Sequence, residues 1–193
     1  MLRVIWFVVF GILLGEIKLG EKVDFSKLNI ISWDGNTVPV DKLSNGILVM
    51  EWTNFSCPYV RKHYDSGNMQ KLQKQFKDKA TWVTILSSAK GKEGHLDDNE
   101  IKSKLEQEGW SGAYFVKDSD GKLGKFFEAK TTPHIFILKD GVLVYRGAID
   151  SIPSSKPKDI ERATNYVVEV LNSLPSSDFK PFETKAYGCS VKY

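Results

Sequence analysis

The sequence predicts an α/β sandwich, in which a central mixed β-sheet is flanked by helices, with an N-terminal hairpin and an extended C-terminal tail. Three observations carry this. Two nearly continuous apolar runs, 47–52 (ILVMEW) and 80–86 (ATWVTIL), read as buried strands. Helical patterns follow both of them. The turn Lys139-Asp140-Gly141 then joins two alternating runs, 134–138 and 142–146, into an antiparallel hairpin ahead of a last amphipathic helix.

The elements follow in order. Runs 29–33 and 37–40 are short and β-prone, and Asp34-Gly35-Asn36 between them is a hairpin signal. After the first buried strand, a turn at 54–58 leads into a helical pattern that ends near Phe76 and breaks at Asp65-Ser66-Gly67. Asp97 and Glu100 form a D-x-x-E capping signature, behind which Ile101 and Leu105 share a face until Gly109 stops the helix. Residues 114–116 are short and β-like, 118–121 form a polar turn, and 122–129 predict a short helix. Ile160, Ala163, Val167, Val170, Leu171 and Leu174 recur at spacings of three and four, which predicts the final helix. The stretch 175–185 is polar and extended, and the chain ends in 186–193 (AYGCSVKY).

Composition narrows the function classes. The chain has 193 residues, 41% hydrophobic and 26% charged, enough for one domain with a sizeable core. Its net charge of +3 is spread as mixed Lys, Glu and Asp, with no basic stripe to track phosphates, so no nucleic-acid partner is expected. The first residues differ from the rest. Arg3 precedes an uncharged run of 11 residues, Val4 to Leu14, too short to span a bilayer and of the length of a secretory signal core. We therefore expect a signal peptide over 1–15, export to the periplasm or the extracellular space, and no stable membrane span after cleavage. Domain limits follow as 20–175 for the folded unit and 176–193 for the tail.

Export makes the two cysteines, Cys57 and Cys189, an even pair in an oxidising compartment. Cys57 follows a buried strand and precedes Pro58, a residue suited to the first turn of a helix. A thiol at that point faces unpaired backbone N–H groups and the positive end of the helix dipole, which favour the thiolate. Arg61, Lys62 and His63 add positive potential. The thiolate is the nucleophile of disulfide exchange and of peroxide reduction, and the competing reading is an inert core cysteine.

Four segments then carry a resemblance: WTNFSCPYVRKHYDSGNMQKLQ (52–73), TTPHIFIL (131–138), GVLVYRGAID (141–150) and YGCSVKY (187–193). Together they resemble exported redoxin proteins of the alkyl hydroperoxide reductase and thiol-specific antioxidant branch of the thioredoxin-like superfamily. The resemblance implies a thioredoxin-like fold, the redox cysteine at Cys57, and a cis proline at Pro133 that faces it. It also implies a substrate groove shaped by Pro133 and Thr132, with Trp52, Asn54, Pro58 and Arg61 around the groove or the thiolate. Two departures stand out. The C-x-x-C of thioredoxins is absent, so any resolving thiol is distant, and Cys189 is the one internal candidate. Peroxiredoxins place Thr or Ser three residues before the redox cysteine, where this chain has Asn54. That departure weighs on peroxide reduction more than on thiol–disulfide chemistry.

The expected function is thiol-dependent oxidoreduction of a disulfide or peroxide substrate, with an unidentified thiol reductant and no cofactor. Alternatives are a binding module in which Cys57–Cys189 is a structural staple, cysteines that never meet, and a copper chaperone. The last lacks a ligand set, because Arg61 stands where a C-x-x-x-C would place its second thiolate. His63, His95 and His134 are scattered, and no metal site is expected. The redox reading requires residue 57 at a helix start, reachable from outside, opposite residue 133.

Overall fold

The computed structural model describes residues 17–193. The expected signal peptide, 1–15, lies outside them. Strand β1 (Ile47–Thr53) is the centre of a six-stranded sheet. It pairs in parallel with β2 (Ala80–Leu86), which pairs in parallel with β3 (Tyr114–Lys117). On its other side β1 runs antiparallel to β5 (His134–Lys139), and β5 runs antiparallel to β6 (Val142–Gly147). A two-residue strand, β7 (Phe182–Glu183), closes that edge in parallel with β6. The order is therefore β3-β2-β1-β5-β6-β7, the mixed sheet that the sequence predicts.

The pleat of β1 sorts the layers. Val49 turns to one face, and Leu48, Met50 and Trp52 turn to the other. On the Val49 face lie α2 (Pro58–Asp65), α3 (Asn68–Phe76), α4 (Asp98–Gln107) and α6 (Tyr166–Ser173). On the opposite face lie α1 (Val40–Ser44), α5 (Lys122–Phe127) and the chain around Val23, Phe25 and Ile30. Trp52, Phe136 and Phe127 fill that second layer, with ring centroids 4.9 to 5.6 Å apart. Burying each ring or aliphatic side chain of this size contributes roughly 1.5–3 kcal/mol.

Local chemistry explains the element ends. Asp97 accepts from the Asn99 and Glu100 N–H groups at 2.9 Å, and Glu100 accepts from the Asp97 N–H, so the predicted capping box caps α4. The predicted break between α2 and α3 falls at Ser66-Gly67, where Gly67 takes a left-handed φ of 72°.

Two predicted elements differ from what forms. The N-terminal hairpin is reduced to one bridge, Ile31 with Thr37, because Pro39 has no N–H to extend the ladder and α1 starts directly after it. The final helix is shorter than its apolar pattern. Residues Pro157–Arg162 form a 3-10 turn, and Ser151 and Asp150 then hold Thr164 and Asn165 in an extended bridge. Asn165 restarts the chain as α6 by accepting from the Val168 N–H at 3.2 Å.

Candidate active site

Cys57 is the N-cap residue of α2, in extended backbone geometry, with the exposed Pro58 at the first helical position. The Cys57 N–H donates to the Asn54 carbonyl at 2.9 Å, which turns the chain from β1 into the helix. Across from it, the Thr132–Pro133 peptide is cis, as the resemblance implies, and both residues are buried. The Cys57 sulfur lies 3.0 Å from the Thr132 carbonyl oxygen. Thr131–Thr132 forms a short strand, β4, which pairs antiparallel with β8 (Cys189–Ser190) from the tail, Thr132 opposite Cys189. That register brings the Cys189 sulfur to 2.7 Å from that of Cys57. Both are free thiols. The two cysteines, 132 positions apart, therefore do meet.

The expectation that residue 57 is reachable from outside is not met, so a redox role for it requires access through the partly open Cys189. The residue is only 3% exposed and belongs to the apolar layer with Val60, Phe55 and Ile149, whereas Cys189 is partly open. Burial, followed by the hydrogen bond and charge of Cys57, pushes the Cys189 thiol up to about 12.

The other predicted residues are placed as follows. Asn54 is buried and fully engaged: its Oδ1 accepts from the Ser56 N–H and its Nδ2 donates to the Glu93 carbonyl, both at 2.9 Å. It ties the turn before Cys57 to the 93–94 loop. Gly94 is essential to that packing, since a Cβ there would fall 1.9 Å from Asn54 Oδ1. Arg61 is turned towards Glu108 and Asp65, whose carboxylates offset its charge. Trp52 lies on the opposite face of β1, fully buried, and meets the site region only through its Nε1, which donates to the Tyr193 hydroxyl at 3.2 Å.

Sequence reasoning passed over the buried Glu51. It also expected Lys62 and His63 to add positive potential beside Cys57, whereas both are buried, Lys62 neutralised by Asp150 and His63 kept uncharged by burial. Glu51 sits within the apolar run of β1 and is 0% exposed. It accepts from the Tyr64 hydroxyl at 3.1 Å, the Trp82 indole at 3.0 Å and the Thr84 hydroxyl at 3.2 Å. Burial raises its carboxyl to about 7 against those three donors. Lys62, also 0% exposed, pairs with Asp150 at 2.8 Å and donates to Tyr187 and to the Ile152 carbonyl. His63 stands beside that pair, 3.8 Å from Asp150, but burial outweighs the attraction of the carboxylate and lowers its pKa to about 4. His95 faces the Ser88 carbonyl, and His134 accepts from the Lys130 N–H against the Phe136 ring. Among the described residues no three His, Cys, Asp or Glu side chains converge as metal ligands.

No protein-family model and no curated protein sequence matches the chain. Solved structures do. One is a hypothetical protein from Sinorhizobium meliloti 1021, at a TM-score of 0.69 and 19% identity, covering 93% of this chain and 96% of that one. Another is a thioredoxin-like protein from Aeropyrum pernix, at 0.51 and 15%, covering 72% and 86%. The chain has the thioredoxin-like fold. A third, a thiol:disulfide interchange protein from a Bacteroides species, matches at 0.56 and 14%, covering 84% of this chain and 93% of that one. In this thioredoxin-like frame, the start of α2 and the loop around Pro133 are the two edges between which the tail is laid. No helix among the described residues is long and apolar enough to cross a membrane.

Proposed function

We propose that the protein is an exported thiol:disulfide oxidoreductase of redoxin type, in which Cys57 and Cys189 are a reversible pair. The observation that carries the reading is the 2.7 Å approach of the two sulfurs at the start of α2, beside the Thr132–Pro133 turn. Likeness in fold to a thiol:disulfide interchange protein supports it. Export is supported by the apolar run Val4 to Leu14 behind Arg3, with 20–175 as the folded unit and 176–193 as the tail that brings the second thiol. The substrate class is a disulfide, or in the reducing direction a pair of thiols, and an external thiol completes the cycle.

Peroxide reduction is the narrower version of this chemistry. Cys57 would attack the peroxide to give a sulfenic acid and an alcohol or water, and the Cys189 thiol would then condense with it, releasing water. The antioxidant branch named by the sequence resemblance would work in this way. Asn54, at the place of the peroxide-orienting hydroxyl, has its side chain committed to the Ser56 and Glu93 backbone. We therefore assign exchange with disulfides as the principal activity.

A structural staple is the second reading, and the observation favouring it is the 3% exposure of Cys57. Alkylation mapping by mass spectrometry after equilibration in glutathione buffers separates the two. An oxidoreductase passes reversibly between dithiol and disulfide as the buffer changes. A staple remains oxidised in every buffer short of strong dithiol.

A further inference from the structure

Resting on the thiol-exchange reading, a second question is which sulfur meets the outside. The tail from Tyr187 to Tyr193 crosses the site as a strap tied down at both ends. At its start, the Tyr187 hydroxyl donates to the buried Asp150 and receives from Lys62 at 3.0 Å, while its ring packs edge-on against Tyr59. At its end, the Tyr193 hydroxyl donates to Asp118 at 2.7 Å and receives from Trp52. The Tyr193 ring lies over Gly121 and Gly124, where a Cβ would come within 2.7 and 2.1 Å of its atoms. Between the two tyrosines, Gly188 passes so close to the Thr132 carbonyl that a Cβ would fall 2.1 Å from it. Val191 bonds to Lys130, and Lys192 bonds to Ser87 and Ala89, on opposite sides of the groove.

The strap therefore fills the backbone edge of β4 beside Cys57, which an extended polypeptide would need for strand pairing. We propose that the strap closes Cys57 to external molecules, that exchange begins at Cys189, and that Tyr187 and Tyr193 are the positioning residues that hold it there. In the oxidised protein an external thiolate attacks the Cys189 sulfur. The new bond joins that thiol to Cys189, the Cys189–Cys57 bond breaks, and Cys57 leaves with the electron pair at the start of α2. A second external thiolate attacks the outer sulfur of the mixed disulfide, releasing the external disulfide and Cys189. Two external thiols are oxidised, the protein disulfide is reduced, and the two protons end on Cys57 and Cys189.

Two measurements test this. Oxidised protein is mixed with glutathione, quenched early in acid, alkylated and mapped. Glutathione is expected on Cys189 and the alkyl group on Cys57, by about tenfold over the reverse adduct, because access selects the sulfur attacked. A majority of glutathione on Cys57 overturns the proposal. In the second, reduced Cys189→Ser protein is labelled at Cys57 with a bulky maleimide, alone and with Tyr187→Phe and Tyr193→Phe added. Releasing the anchors is expected to speed labelling about tenfold, with a smaller change for iodoacetamide, since the barrier is access rather than thiol chemistry. Where the triple variant does not fold, Cys189→Ser with Tyr193→Phe alone makes the same comparison. Equal rates with and without the anchors overturn the proposal. This second arm needs no disulfide, so it reads the strap even if Cys57 and Cys189 prove not to be a reversible pair.

Discussion

Glu51 lies in β1 between the apolar Met50 and Trp52, and its carboxyl is held neutral to about pH 7 by burial. In the unfolded chain the same group ionises near its ordinary 4.5. Between those values the unfolded state has lost a proton that the folded state keeps, so stability falls as pH rises through that window. The fall is on the order of 3 kcal/mol. Glu51→Gln is expected to remove it, adding stability at pH 8 and changing little at pH 4, as urea unfolding at the two pH values would show. A glutamine can still accept from Trp82 and Thr84 while its amide donates to the Tyr64 oxygen. At this scale the sequence was least legible. A single Glu in an apolar run of six does not announce its partners, and a Lys one position after an Arg near a thiol reads as added positive potential. Only the tertiary partners Trp82, Asp150 and Tyr187 make those charges interior. The helix start at Cys57 was legible from Pro58 behind a buried strand, whereas the cis bond at Pro133 was implied by the resemblance and not by the residues alone.

Between elements, the Lys62–Asp150 pair joins α2 to the chain after β6 and, through Tyr187, to the strap. Both partners are out of water, so breaking the pair leaves a buried charge. Lys62→Met is expected to cost about 3–5 kcal/mol, and adding Asp150→Leu should restore most of that loss. Equilibrium unfolding of the two single variants and the double variant gives the coupling directly. The buried strands β1 and β2 and the hairpin of β5 and β6 followed from periodicity and the Asp140-Gly141 turn, where both residues take positive φ. Elements set by distant partners did not follow. The apolar spacing of 160–174 reads as one helix, yet Ser151 and Asp150 pull 164–165 into a bridge and split it. Likewise the polar stretch 175–185 reads as extended without showing that Phe182 and Glu183 would dock on β6 against Tyr145.

Over the whole molecule, the strap brings residue 189 back to residue 57 and, if bonded, closes nearly the full domain into one loop. Loop entropy alone would then stabilise the oxidised form by up to about 5 kcal/mol relative to the reduced one. Oxidised protein is expected to melt at higher temperature than reduced protein, with the difference absent in Cys189→Ser. Two buried imidazoles add an acid limit common to both forms. Burial lowers His63 to about 4 and His134 to about 3, so the unfolded chain takes up protons below its ordinary 6.5 that the fold refuses. Each contribution is full above 6.5 and lost as pH falls towards those values.

The reduction potential of the Cys57–Cys189 pair tests the central claim most directly, by equilibration across glutathione and dithiothreitol buffers with both thiols quantified after alkylation. A reversible two-electron transition above about −300 mV, with the two residues titrating together, is the predicted result. A pair that stays bonded down to lower potentials, or two thiols that never bond in the most oxidising buffer, would contradict it.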